Sequence, residues 1–213
     1  MEEDINKIVK KGTTTVGLVC KDGIVLVADK RSSAGYMIAN KKETKIHKIS
    51  DYMAITMAGL VSDAQLITKL VQAELRLKKI RTSKEATVKE AANLLGGILY
   101  QNIRKMSMVP GIVAFILGGK DNLGYKLYEL GVDGSVTFRD DYCSTGSGSP
   151  YAYGVLETLY TKDMSTQQGI DVALKALNAA LQRDMPTGDG VDVFTITHEG
   201  VKKVETRIIE KKI

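Results

Sequence analysis

Hydrophobic and polar residues alternate with different periods along this chain, and those periods predict most of its elements. Thr14 to Cys20 and Ile24 to Lys30 are apolar, β-rich runs joined by Lys21-Asp22-Gly23, which predicts a hairpin. Tyr36 to Asn40 and Thr44 to Ile49 predict a second short hairpin, and Tyr52 to Met57 a strand that runs into Ala58-Gly59-Leu60. The period then lengthens. From Val61 to Ile80 the residues Ala64, Ile67, Leu70, Val71, Leu75 and Leu77 recur at helical spacing, with Ser62 or Asp63 as a cap. A second helix is expected from about Thr87 to Met106, and its Gly96-Gly97 pair suggests the close approach of two helices.

The second half repeats the order. Gly111 to Gly118 is a wholly apolar strand of the kind covered on both faces. Tyr125 to Val132 and Ser135 to Phe138 predict a hairpin over Asp133-Gly134. Cys143 to Pro150 reads as a Gly/Ser loop before a short helix, Tyr151 to Leu159, and Ser165 caps another helix reaching about Arg183. After the loop Asp184 to Gly190, Val191 to Thr197 and Val201 to Arg207 form a last hairpin across Glu199-Gly200. Strands, two helices, strands, two helices and two strands predict an α+β fold. Two sheets packed face to face, with a helix pair on each outer face, would bury every apolar stripe in one four-layer domain.

Composition adds little to this picture and excludes several classes. The 213 residues, 44% apolar and 26% charged, suit a single globular domain. No apolar run is long enough for a membrane helix. Met1 to Asn6 lacks the basic start and apolar centre of a secretory signal, so the expected location is cytoplasmic. Cys20 and Cys143 have no metal-ligand or C-x-x-C spacing and are expected as reduced, buried thiols. The net charge of +5 raises the question of nucleic acid, but the lysine pairs are scattered without interleaved aromatics, so no nucleic-acid partner is expected.

One stretch does not fit an ordinary strand. Lys11-Gly12-Thr13-Thr14-Thr15-Val16-Gly17 sets three threonines behind a glycine, after twelve residues rich in charge. A cut between Gly12 and Thr13 would leave a threonine with a free amine at the head of a strand. A threonine hydroxyl is a poor nucleophile near neutral pH and needs an adjacent base. Its own α-amine, with a reference pKa of about 7.7–8.0, would serve. By themselves these residues read as the polar face of a strand, the usual place for such a run.

Other blocks resolve that ambiguity. Gly12 to Gly17, Ala28-Asp29-Lys30-Arg31, Lys45, Met57-Ala58-Gly59, Gly146 to Pro150 with Tyr153 to Glu157, and Gln182-Arg183-Asp184 together resemble the β-subunits of the 20S proteasome, the archaeal type most closely. The resemblance spans nearly the whole chain with the blocks in order. It implies an N-terminal nucleophile hydrolase of αββα sandwich fold, with a propeptide, residues 1–12, removed by self-cleavage from a 13–213 domain. It also implies neighbouring β-subunits in a seven-membered ring, outer α-subunit rings, an ATPase regulator and unfolded protein substrates. No cofactor and no metal are implied.

The resemblance also assigns roles. Thr13 matches the nucleophile, its freed amine accepting the hydroxyl proton directly or through a water. Lys45 matches the catalytic lysine, whose positive charge lowers the hydroxyl's pKa; without the resemblance it would read as a solvated side chain. Asp29 matches the acid that holds Lys45 and keeps it charged, with Arg31 structural in the same network. Gly59 matches the backbone N–H of the oxyanion hole. Ser147 and Asp184 match supports of the N-terminal amine, and Thr187 stands where the family has serine. Ser33, more often threonine in the family, is expected to bind substrate backbone. Ser32, Glu43, His47, Met57, Val61 and Gln65 are placed by position at the pocket for the residue before the cut. Two alternatives remain: a non-catalytic β-type subunit, and a phosphate-binding turn at Gly146 to Ser149.

Overall fold

The computed structural model describes residues 12–209. Two five-stranded sheets, antiparallel at every pairing, form the centre of the fold. The first contains β1 (Thr14–Cys20), β2 (Gly23–Asp29), β10 (Tyr142–Gly146), β11 (Gly190–Thr197) and β12 (Gly200–Ile208), in the order β10-β1-β2-β11-β12. The second runs β5 (Ile46–Ser50), β6 (Met53–Gly59), β7 (Val113–Asp121), β8 (Gly124–Leu130) and β9 (Val136–Arg139) in simple succession. A small separate pair, β3 (Ser32–Ala34) and β4 (Met37–Asn40), lies between them in the chain.

Three apolar layers account for the sandwich. Helices α1 (Val61–Thr82) and α2 (Val88–Arg104) cover the second sheet through Ile67, Val71, Leu95, Leu99, Phe115 and Leu117. Helices α3 (Ser149–Leu159) and α4 (Thr166–Arg183) cover the first sheet through Leu156, Ala173, Leu177, Val16, Val25 and Val193. Between the sheets lie Leu26, Ile46, Ile116, Leu127 and Ile196. Fully burying one such aliphatic side chain is worth roughly 1.5–3 kcal/mol, so each layer suffices to fix its neighbours in contact. The expected αββα architecture is what the chain adopts. No helix among the described residues is long and apolar enough to cross a membrane.

Several local expectations are corrected. Met37–Asn40 pairs with Ser32–Ala34, not with the strand at Ile46, because a tight turn at Gly35 (φ 60°) brings those two segments together first. Tyr142–Gly146, expected as loop, is an edge strand whose backbone pairs with β1. Gly96 approaches strand β9 instead of a helix: a Cβ there would stand 2.4 Å from Val136, while Gly97 faces open space. Leu60, and neither Ser62 nor Asp63, is the N-cap of α1. Leu70 and Leu77 lie on the outer side of α1 with Leu66 and Ile80, all exposed. That helix is apolar on two sides, and only the stripe Ala64, Ile67, Val71 and Leu75 faces the sheet. The cap at Ser165 follows expectation: with Gln168 it forms a capping box on α4, and Thr87 with Glu90 forms one on α2.

Candidate active site

The site gathers at one end of the sandwich, where strands from both sheets finish. Thr13 immediately precedes β1 and is 6% exposed. The β1–β2 hairpin runs the chain away and back, so that Asp29, the last residue of β2, returns beside it. Its two oxygens accept four hydrogen bonds. Oδ1 accepts from the Thr14 amide at 3.0 Å and from Lys45 Nζ at 2.7 Å. Oδ2 accepts from the amides of Arg31 and Gly188, each at 3.0 Å. A carboxylate can be kept inside a protein only when it is saturated in this way.

Lys45 comes from the facing sheet, one residue before β5, and is 3% exposed. Burial pushes the Asp29 carboxyl up, against the attraction of Lys45 and the amide donors. Burial likewise pushes the Lys45 ammonium down, against the attraction of Asp29. The aspartate thus opposes proton loss from the lysine, as the sequence suggests, but desolvation is the larger effect.

A second chain of contacts rises from the loop after α4. Asp184 Oδ2 accepts from Ser147 Oγ at 2.7 Å and from Thr187 Oγ1 at 2.5 Å. Thr187 Oγ1 in turn lies 2.7 Å from Thr14 Oγ1. The methyl that distinguishes Thr187 from a serine is buried, and the hydroxyl keeps both contacts. Gly12 packs into the same corner. A Cβ on it would stand 2.0 Å from Pro186 and 2.6 Å from Ser147 Oγ, so only glycine fits before Thr13.

A narrow cleft of about 10 Å³ is lined by Gly12, Thr13, Lys45, Met57, Gly59 and Ser33, with Arg31, Ser32, Glu43 and Val61 also on its wall. That volume is about the size of one water, so no side chain enters while Gly12 holds its rim. Gly59 ends β6 with φ 129°, a conformation reserved for glycine, and its Cβ position lies 2.3 Å from the Ile112 carbonyl. His47 and Gln65 do not line the cleft. The His47 Nε2 atom is buried without a partner, and burial lowers the ring's pKa. A larger groove of about 830 Å³, bordered by Lys78, Glu90, Lys120 and Asp121, contains none of the residues gathered around Thr13.

Some contributors had no sequence signal. The Gly188 amide is one. Asp189 is another: it stands at φ 62° and grips Arg31 through Nε at 2.7 Å, with Arg31 also donating to the Met185 carbonyl at 2.7 Å. This clamp holds the 184–190 loop against Asp29. Backbone donors and a left-handed aspartate leave no pattern in a sequence; Asp189 and Gly190 read only as the end of the loop Asp184 to Gly190.

Comparison with known proteins gives the family. A family model described as "Proteasome subunit" matches residues 9–196. The chain is similar to the "Proteasome subunit beta" of Methanocaldococcus fervens, at 47% identity over 204 residues, covering 95% of this chain and 89% of that one. It is 46% identical over 204 residues to the protein of that name from Methanocaldococcus jannaschii, again covering 95% and 89%. It is 41% identical over 208 residues to that from Archaeoglobus profundus, covering 98% and 95%.

Proposed function

The chain belongs to the proteasome subunit family, and from that premise we propose that it is a working threonine endopeptidase of β type. The observation that carries this reading is the convergence on one cleft of Gly12, Thr13, Gly59 and Lys45, the last tied to buried Asp29. In the uncut chain the Thr13 nitrogen is an amide and cannot act as a base. Attack by Thr13 Oγ on the Gly12 carbonyl, followed by hydrolysis of the resulting ester, separates residues 1–12 and frees the amine.

In the matured 13–213 chain, Thr13 Oγ attacks the substrate carbonyl carbon while its proton passes to the α-amine, directly or through a water. Lys45 stabilises the forming alkoxide, and the Gly59 N–H receives the oxyanion. Collapse breaks the C–N bond, a proton goes to the leaving amine, and water hydrolyses the ester on Thr13. Ser147, Asp184 and Thr187 hold the amine end, and Ser33 contacts substrate backbone. Ser32, Met57 and Val61 shape the pocket before the cut; Met57 on the wall favours an apolar residue and Glu43 a basic one.

The natural substrates of this reading are unfolded proteins, admitted to a closed barrel in which β-type rings of seven lie between α-type rings, with an ATPase as regulator. The exposed apolar residues Leu66, Leu70, Leu77 and Ile80 on α1, and Met106 and Met108 beyond α2, support burial against neighbouring subunits. The phosphate alternative has weaker support, because Asp184 already faces the Gly146 to Ser149 turn and would repel an anion.

The test is the intact mass of the assembled protein together with the activity of Thr13→Ala. The expected results are a chain beginning at Thr13 and a variant without peptide hydrolysis. An uncut chain, with Thr13→Ala as active as the parent, refutes the reading and leaves a structural subunit.

A further inference from the structure

The two halves of the site stand on different sheets. Thr13 leads into β1 and Asp29 ends β2, whereas Lys45, Met57 and Gly59 belong to the β5–β6 side of the facing sheet. The layer between them is mostly apolar, with Leu26, Ala28, Ile46, Ala54, Ile116 and Leu127 in contact. Apolar contact is non-directional, so it holds the sheets together without strongly opposing a small slide of one over the other. A slide would carry Gly59 and Met57 away from Thr13. Directional contacts must set that offset.

Among the described residues, two side-chain hydrogen bonds cross between the sheets at this end. One is the Lys45–Asp29 pair already described. The other belongs to neither the nucleophile set nor the pocket. Thr56 Oγ1 donates to Thr15 Oγ1 at 3.1 Å, and Thr15 Oγ1 lies 2.7 Å from Thr145 Oγ1. The Ile116 amide donates to Thr56 Oγ1 at 3.2 Å, and Ser144 Oγ donates to the Thr15 carbonyl at 2.8 Å. Thr15 and Thr56 are fully buried and face each other across the apolar layer, their strand partners Ala28, Ile46 and Ile116 all belonging to it. Burying hydroxyls there is unfavourable unless each finds a partner, and these do.

We propose that Thr15 and Thr56 are positioning residues, whose buried hydrogen bond sets the distance and offset between the nucleophile and the wall that carries Met57 and Gly59. Thr15 lies two residues after Thr13, and Thr56 directly precedes Met57 and lies three before Gly59, so each end of the bridge is close to what it places. This inference rests on the peptidase reading above.

The experiment uses the full-length assembled protein, with working sites counted by intact mass after reaction with a peptide electrophile that modifies Thr13. Rates are then expressed per modifiable site, which removes losses of folding or maturation. Thr56→Val keeps the volume and removes the hydroxyl. A misplacement of about 1 Å can cost on the order of a hundredfold in rate, so a smaller slip predicts a kcat lower by on the order of tenfold. KM should stay within about twofold, because ground-state contacts are kept. Thr56→Ser restores the hydroxyl and should restore kcat. The double variant Thr15→Val/Thr56→Val should be about as slow as the slower single, since either single already breaks the bond between the two residues.

Should Thr56→Val fail to assemble, Thr15→Val, which leaves the Ile116 amide its acceptor, carries the same expectation. A parental kcat per site in the valine variant overturns the inference, as does Thr56→Ser impaired as deeply as Thr56→Val. A parent without Thr13-dependent hydrolysis overturns the peptidase reading and this inference with it. An active parent beside an unimpaired valine variant overturns the inference alone.

Discussion

Replacing Asp29 with asparagine removes one charge and almost no volume, and its effect can be worked from the four bonds that the carboxylate accepts. The amide oxygen of the new residue can serve one side of the group, the Thr14 amide and Lys45. Its NH₂ then faces the Arg31 and Gly188 amides, donor against donor. Lys45, 3% exposed, is left without its counter-charge. Removing one partner of a buried ion pair typically costs roughly 3–5 kcal/mol. The orphaned amides raise the cost, and deprotonation of Lys45, already favoured by burial, lowers it. A net loss of about 3–5 kcal/mol is a large share of the roughly 5–15 kcal/mol that stabilises a domain.

Two measurements check this. Denaturant unfolding of the unassembled chain should show a lower midpoint at an unchanged slope, the midpoint shift times that slope equalling the lost free energy. Peptide hydrolysis should fall by on the order of a hundredfold or more, because the 184–190 loop loses the acceptor that orients it and Lys45 loses its counter-charge. Asp29→Glu separates charge from shape: it keeps the charge but cannot reach all four donors, so it should recover part of the stability and little of the rate. An Asp29→Asn protein with the parental midpoint and parental activity would refute the argument that this carboxylate organises the site.

Two further predictions concern the chain on either side of that centre. Gly12→Ala puts a Cβ into Pro186 and Ser147 Oγ, so the residue before Thr13 shifts and self-cleavage should stop or slow severely; intact mass then retains residues 1–12, and normal maturation would contradict the packing argument. Glu90, in the α2 capping box, is held at about 2 against an ordinary 4.5, chiefly by its hydrogen bond to Lys78 and then by Thr87. A depressed carboxyl stabilises the fold above its ordinary pKa and loses that contribution as pH falls toward 2. The melting-temperature gap between parent and Glu90→Gln should therefore be open at pH 7 and narrow progressively below pH 4.5. It stays under about 1 kcal/mol in effect, since the pair is solvent-exposed. A gap independent of pH counts against it.

Much of this protein was legible along the chain. Helix and strand follow from periods of a few residues, and caps such as Ser165 and turns such as Asp133-Gly134 are chemistry between near neighbours, so their signals survive in one dimension. Thr13, Lys45 and Gly59, singled out through family resemblance, line one cleft, and Asp29 bonds Lys45 behind it. Errors arose where the answer depended on a distant partner. Tyr142–Gly146 reads as a Gly/Ser loop because nothing nearby shows that β1 offers it an open edge. The exposed side of α1 reads as core because apolar residues look alike whichever way they point.

What the tertiary structure alone decided is which groups are desolvated and what meets them. No pattern announces that the Gly188 amide closes the shell around Asp29, or that Asp189 adopts a left-handed backbone to grip Arg31. Thr15 and Thr145 bond across 130 positions of chain, and Thr56 reaches Thr15 from the other sheet. A threonine's type gives its hydroxyl a donor and an acceptor; only the packing of two sheets supplies the partner. For the same reason Lys45 is an ordinary lysine in the sequence, and only the fold removes the water around it and sets Asp29 2.7 Å away.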